Sequence, residues 1–442
     1  MNKKRITWIE LLRIAACIGV IGIHAGSQHF RDTPLDSSIW RISNFYHGIN
    51  RFAVASFIMI SGTLYLDGKR NWSLKKLWTR NIFQIAVAYV FWQIFYAVYR
   101  IVMAGKPAIG SVSFFKKILI YCSESYFHLW YLPMLAGLLI VTPLLWEIVN
   151  CERSKKWEEY LILMFLLIKI IPYTVNCFSF PLKEYVMNVM HTVQPGMVVD
   201  YAGYFILGHY LSHYEISRKL ERTIYILGIS LILAAILLSQ YMSPRVGREL
   251  QSYYENFTLA GFFWGSAIFL FFKNHVSKIH WSEKQEEIIC RLGGYTFGIY
   301  LIHAFFRDIL HRAGIDSMMI GNTVIAIPIV MVCIFGLSCL AVILIKKYRY
   351  WVSGLSDTKK CRLQQTVIIS EAVSGTFLIF LDHLNLQVIK FNMFNKTVLA
   401  EPCSGMAFEI RDIAVQPDRI FQVKIIADLL QCTEDLVCPC IF

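Results

Sequence analysis

Apolar positions are grouped along this chain in ten long runs, near residues 8–26, 45–66, 81–103, 129–149, 157–175, 197–213, 223–241, 257–273, 291–310 and 322–345. A helix rises about 1.5 Å per residue, so runs of this length can cross roughly 30 Å of hydrocarbon. Backbone N–H and C=O groups find no water inside a bilayer, so each run is expected to be a helix. Polar residues fall in short loops between the runs. For a ten-span bundle, the loops on one side hold clusters such as Lys3, Lys4 and Arg5, then Lys75, Lys76 and Arg80, then Arg153, Lys155 and Lys156. That side holds more than twice as many Lys and Arg residues as the other. Positive charge accumulates on the cytoplasmic face, so the pattern predicts N-in and C-in. The run after Met1 is too long for a signal peptide and has no small-residue cleavage site beyond Gly26, so it reads as an uncleaved first span.

The pattern ends after Trp351. Residues 353–442 hold no run long enough to span, lose the basic excess and alternate short β-like stretches with turn residues. The expected architecture is therefore an all-α integral membrane domain over 1–352, with about ten transmembrane helices. A small cytosolic C-terminal tail over 353–442, either α+β or disordered, would follow it.

Composition agrees. Of 442 residues, 56% are apolar and only 17% charged, with a mean hydropathy of +0.50. A soluble domain carries nearer a quarter charged residues, so lipid is the expected solvent. The net charge of +13 invites a nucleic-acid reading. The basic residues alternate by loop and form no single stripe, which excludes that reading. The cysteines show no CxxC pair and no Cys/His spacing of the zinc kind, so no metal is expected.

Ionisable groups within spans are expensive and point to function. The first span holds Glu10, Arg13 and His24. Glu10 and Arg13 are spaced to pair on a helix. Arg13 and His24 are eleven residues apart, which brings them to one face about 16 Å apart along the axis. An anion-binding group near one rim is thereby joined to a titratable group farther across. A neutral histidine there can deprotonate a hydroxyl. The bland alternative has Arg13 snorkelling to headgroups and His24 at an interface. Lys169 can likewise snorkel, Trp130 and Tyr131 can anchor an interface, and Ser61–Gly62 suits close helix packing.

The stretch from Ile6 to His24 resembles the opening of the acyltransferase-3 family of membrane O-acyltransferases, whose hallmark Arg, ten residues and His are matched by Arg13 and His24. Arg51–Leu64, His128–Leu145 and Gly293–His303 resemble three later family stretches in the same order, over roughly residues 5–350. Ala55 stands where the family usually has proline. Lys75, Lys76 and Arg80 stand where it often has an Arg-x-x-Arg. The resemblance implies transfer of an acyl, often acetyl, group from cytosolic acyl-coenzyme A to a carbohydrate or glycolipid of the cell envelope at the plasma membrane. It implies His24 as the catalytic residue, either general base or transient acyl carrier, and Arg13 as a group that positions the donor or organises the site. Lys75, Lys76 and Arg80 are a sensible landing site for coenzyme A phosphates. Arg51, Trp130 and His303 are candidate acceptor contacts.

Two rivals stand beside this reading. A transporter or flippase would favour two repeat-related halves with interrupted helices, and no such internal similarity is visible. A membrane scaffold would account for the tail but not for the buried charges.

Overall fold

The structure is a computed structural model that describes residues 7–68, 73–105, 111–178, 183–184 and 196–353. The chain divides into the units Met1–Val373 and Ser374–Phe442, and every described residue belongs to the first. The tail expected over 353–442 lies, beyond Ser353, outside the described residues.

The described residues form helices and no strand. In chain order these are α1 (Thr7–Gly26), α2 (Ser38–Ile49), α3 (Phe52–Tyr65), α4 (Leu74–Met103), α5 (Val112–Glu124), α6 (Tyr131–Asn150), α7 (154–176), α8 (Gly196–His213), α9 (Arg218–Val246), α10 (Leu259–Asn274), α11 (Glu283–Gly293), α12 (Thr296–Arg312) and α13 (Thr323–Ser353). Local sequence fixes many starts. The hydroxyls of Ser37, Ser111, Ser217 and Thr258 accept the N–H groups of Trp40, Phe114, Leu220 and Gly261, which would otherwise be orphaned in the first turn. Ser282 and Gln285 form a reciprocal capping box at α11.

Six helices are long and apolar enough to cross a membrane, and seven if the pair α11–α12, bent by 55°, counts as one span. Ten were expected. The three remaining runs are helical but differ from simple spans. The run 45–66 is cut at Asn50 and Arg51 into α2 and α3. There Asn50 Nδ2 donates to the Tyr46 carbonyl at 2.8 Å, and α3, with 14 residues, spans only about 21 Å. The runs 157–175 and 197–213 carry charge, and the structure shows why this is tolerated. Glu158, fully buried, faces His209 Nδ1 at 2.8 Å, and Lys169 pairs with Asp200. The charges of α7 are met by those of α8. Lys169 is thus held by a partner rather than left to snorkel.

The faces turned away from the bundle are apolar. Leu144 is 70% exposed, Leu237 64% and Val332 71%, among many others. Water would penalise so many bare apolar side chains, whereas lipid tails accept them. This protein is a multi-pass membrane protein.

α1 runs through the middle of the unit and touches α2, α3, α10, α11, α12 and α13. Its Ile9, Leu12, Ala16 and Cys17 are essentially unexposed. Beside it, α3 and α8 meet backbone to backbone. A Cβ on Gly62 would lie 1.8 Å from the Phe205 carbonyl oxygen, and one on Gly208 2.2 Å from that of Met59. Thr63 Oγ1 bonds the Gly208 carbonyl across this contact at 3.0 Å. Small residues that admit such an approach are the usual basis of helix association in lipid.

Candidate active site

Near the C-terminal end of α1, the His24 ring stacks on His303 of α12, with centroids 5.3 Å apart and planes at 25°. His128, just before α6, meets the His303 ring edge-on at 4.9 Å, and Phe127 meets His24 at 4.8 Å. The backbone sets the tautomers. His303 Nδ1 lies 2.6 Å from the Tyr300 carbonyl. A carbonyl oxygen only accepts, so the proton sits on Nδ1 and Nε2 is a bare lone pair. By the same reasoning His128 donates from Nε2 to the Leu301 carbonyl at 3.3 Å, leaving Nδ1 bare. Both bare nitrogens are buried without a hydrogen-bond partner. Buried polar atoms are rarely left unsatisfied, and such orphans mark a place where substrate or water belongs. The half-buried His24 ring makes no hydrogen bond among the described residues.

Tyr96, fully buried on α4, donates to the Leu301 carbonyl at 2.7 Å, and Tyr300 donates to the His128 carbonyl. These bonds fasten α4, the 125–130 segment and α12 around the three histidines. A charged cap adjoins them. Arg307 pairs with Asp308, with Nη2–Oδ1 2.5 Å, and its guanidinium lies 4.5 Å above the Phe127 ring. Asp308 Oδ2 accepts the Tyr126 hydroxyl at 2.7 Å. Arg307 is within electrostatic reach of His24, His128 and His303.

At the other end of α1, Arg13 Nη1 donates to both oxygens of Glu10 at 3.1 Å. Glu10 is 3% exposed and Arg13 19%. Gly293 makes room for this pair, because a Cβ there would fall 2.0 Å from Glu10 Oε2. Between the two ends runs an aromatic line. Tyr131 meets Tyr300 at 5.7 Å, and Tyr300 meets His303 at 6.0 Å.

Of the residues singled out in the sequence, the structure brings His24 and His303 together and keeps Arg13 apart from them along α1. Lys75 and Lys76 are exposed on the first turn of α4, and Arg80 follows on the π-helical turn Leu77–Ile82. Arg51 is engaged by His47 Nε2 and Gln251 Oε1, each at 3.2 Å. Trp130 packs on Tyr201 at 5.6 Å. His128, Arg307, Asp308 and Tyr126 escaped the sequence reading. One signal was available for Arg307: it lies four residues beyond His303, hence on the same helix face.

A lipid-facing helical bundle enclosing three clustered histidines, two of them with unpaired ring nitrogens, defines a polytopic membrane protein with a candidate polar site. Residues 6–345 match the model of the acyltransferase-3 family, described as an acyltransferase domain. The chain belongs to this family and is a membrane acyltransferase. No curated protein and no solved structure matches it.

Proposed function

We propose that this protein transfers an acyl group, acetyl in the simplest case, from cytosolic acyl-coenzyme A to a hydroxyl of a cell-envelope polysaccharide, peptidoglycan or glycolipid. In this reading the membrane is the plasma membrane, the bundle has ten spans, and the Thr7 end of α1 faces the cytoplasm. The observation that carries it is the stacking of His24 on His303 beside bare imidazole nitrogens, on the same helix that carries Arg13.

Coenzyme A phosphates would settle near Arg13 and the cations Lys75, Lys76 and Arg80, with the pantetheine arm along Tyr131 and Tyr300. The acceptor would enter past Arg51 and Trp130, where an aromatic face suits a sugar ring. His24 takes the hydroxyl proton as general base while the oxygen attacks the thioester carbonyl. The carbon–sulfur bond then breaks, and the coenzyme A thiolate recovers that proton from His24. Arg307 offsets the negative charge that develops on the carbonyl oxygen. His303 holds the His24 ring in place, and its bare Nε2 serves beside it as a second acid–base group.

The test follows label from radiolabelled acetyl-coenzyme A into envelope carbohydrate, in membranes carrying the parent or His24→Ala at equal protein levels. Label with the parent alone supports the reading. Equal label in both removes His24 from the chemistry. No label in either means that the donor or the acceptor is not the one proposed.

A further inference from the structure

The turn after α1 and the C-terminal end of α12 with its following loop bring His29 together with His311 and Asp316, which are five residues apart. Their donor atoms all lie within 4.8 Å of one another. His29 Nε2 is 3.2 Å from Asp316 Oδ2, and His311 Nδ1 is 3.1 Å from the same oxygen. A tetrahedral zinc ion with nitrogen and oxygen ligands at about 2.0–2.1 Å has edges of roughly 3.3 Å between them. Both nitrogen–oxygen separations fit such an edge.

His29 Nε2 is buried and makes no directed hydrogen bond, although the carboxylate is within reach. His311 Nδ1 hydrogen-bonds that same carboxylate oxygen, so a cation would enter between the two imidazoles and the oxygen they share. The surroundings resemble the outer sphere of a metal site. The Met318 N–H donates to Asp316 Oδ1 at 2.8 Å, which leaves Oδ2 for the two histidines. His29 Nδ1 lies 4.0 Å from the exposed Asp32 carboxylate, close enough for electrostatic attraction and beyond hydrogen-bond distance. The local fold presents the aspartate. Gly314, at φ +77°, closes α12, and the Ile315 N–H returns to the Leu310 carbonyl at 2.8 Å. That left-handed turn, which a glycine accepts freely, directs the chain back over His311.

We propose that His29, His311 and Asp316 bind a divalent cation of the zinc type. Two imidazoles and one carboxylate suit zinc better than magnesium or calcium, which take oxygen ligands. Water fills the fourth position on the side of His311, which is 47% exposed. The bound ion ties the exit of α1 to the end of α12, the two helices that carry His24 and His303.

The test uses the full chain purified in detergent, stripped with a chelator and titrated with Zn2+ and, separately, Co2+. The parent is expected to bind about one Zn2+ per chain, as a single site with three protein ligands should. Co2+ should produce the visible absorption of a distorted tetrahedral site, and Zn2+ should raise the melting temperature. His311→Ala and Asp316→Asn, melting like the parent in chelator, should lose the colour and the zinc-dependent rise. A parent that holds no more Zn2+ than His311→Ala overturns the proposal. So does a zinc-dependent rise that survives in both variants.

Discussion

His303 lies stacked on His24, ring against ring at 5.3 Å, with its Nδ1 proton committed to the Tyr300 carbonyl and its Nε2 bare. The contact fixes the angle of the His24 ring, and the bare nitrogen lies beside the chemistry. His303→Phe keeps a flat ring but removes that nitrogen. It should lower acyl transfer by about 100-fold, the lower end of what a positioned acid–base group contributes. Rates are compared at equal amounts of folded protein, judged by size-exclusion of the detergent-solubilised chain. A variant as fast as the parent would make the His303 imidazole mere packing.

Gly293→Ala tests the other end of α1. The new methyl would meet Glu10 Oε2 at 2.0 Å and push the carboxylate off Arg13. Acyl transfer should fall chiefly through a higher KM for the acyl donor. Gly137→Ala is the control, because nothing lies within 4 Å of its Cβ position. An alanine in mid-helix there should be neutral or stabilising by about 0.5–1 kcal/mol. If both variants keep the parent's KM, the Glu10–Arg13 pair has no part in donor binding.

The contact of α3 with α8 makes a prediction about stability alone. Gly208→Ala places a methyl 2.2 Å from the Met59 carbonyl oxygen, and backbone cannot rotate aside as a side chain can. Overpacking of this kind costs about 1–3 kcal/mol. The melting temperature in detergent should fall, and an unchanged value would mean that the two helices can part without penalty.

Two cysteines should differ in reactivity. Burial raises the Cys177 thiol above its ordinary pKa, and its sulfur lies near the Tyr173 and Ser252 carbonyls. Cys151 is exposed. Only the thiolate attacks maleimide. A raised pKa leaves less thiolate at neutral pH, and the fraction grows as pH rises. In chains retaining one or the other cysteine, Cys151 should label faster at pH 7, and Cys177 should gain more between pH 7 and 9. Equal rates at pH 7 would contradict the burial of Cys177.

Much of this arrangement can be read in the chain itself. Apolar length locates α3, α10, α12 and α13 around α1 but misses the polar α11 and most of α2, and the Arg13–His24 spacing places two half-buried polar groups on one helix. Charge within a run was harder to interpret. Glu158 and Lys169 make 157–175 a poor span when read alone, and only folding shows that His209 and Asp200 answer them. The break at Asn50–Arg51 depends on a side-chain bond to the Tyr46 carbonyl, which no periodicity reveals. His128 and Arg307 join the site through tertiary contacts. The cluster of His29, His311 and Asp316 is assembled from opposite ends of the described chain, beyond the reach of any motif.

Arg13 and His24 share one uninterrupted helix, and that makes α1 a gauge. Its length is set by hydrogen bonds and not by loops that could drift, so the two polar stations keep a fixed interval of about 16 Å. Removing a single residue between them would turn one station by about 100° relative to the other while shortening the interval by only about 1.5 Å. Angular phase, far more than reach, is therefore the quantity this helix protects, and a deletion between the two stations disturbs it where a substitution that keeps the packing does not.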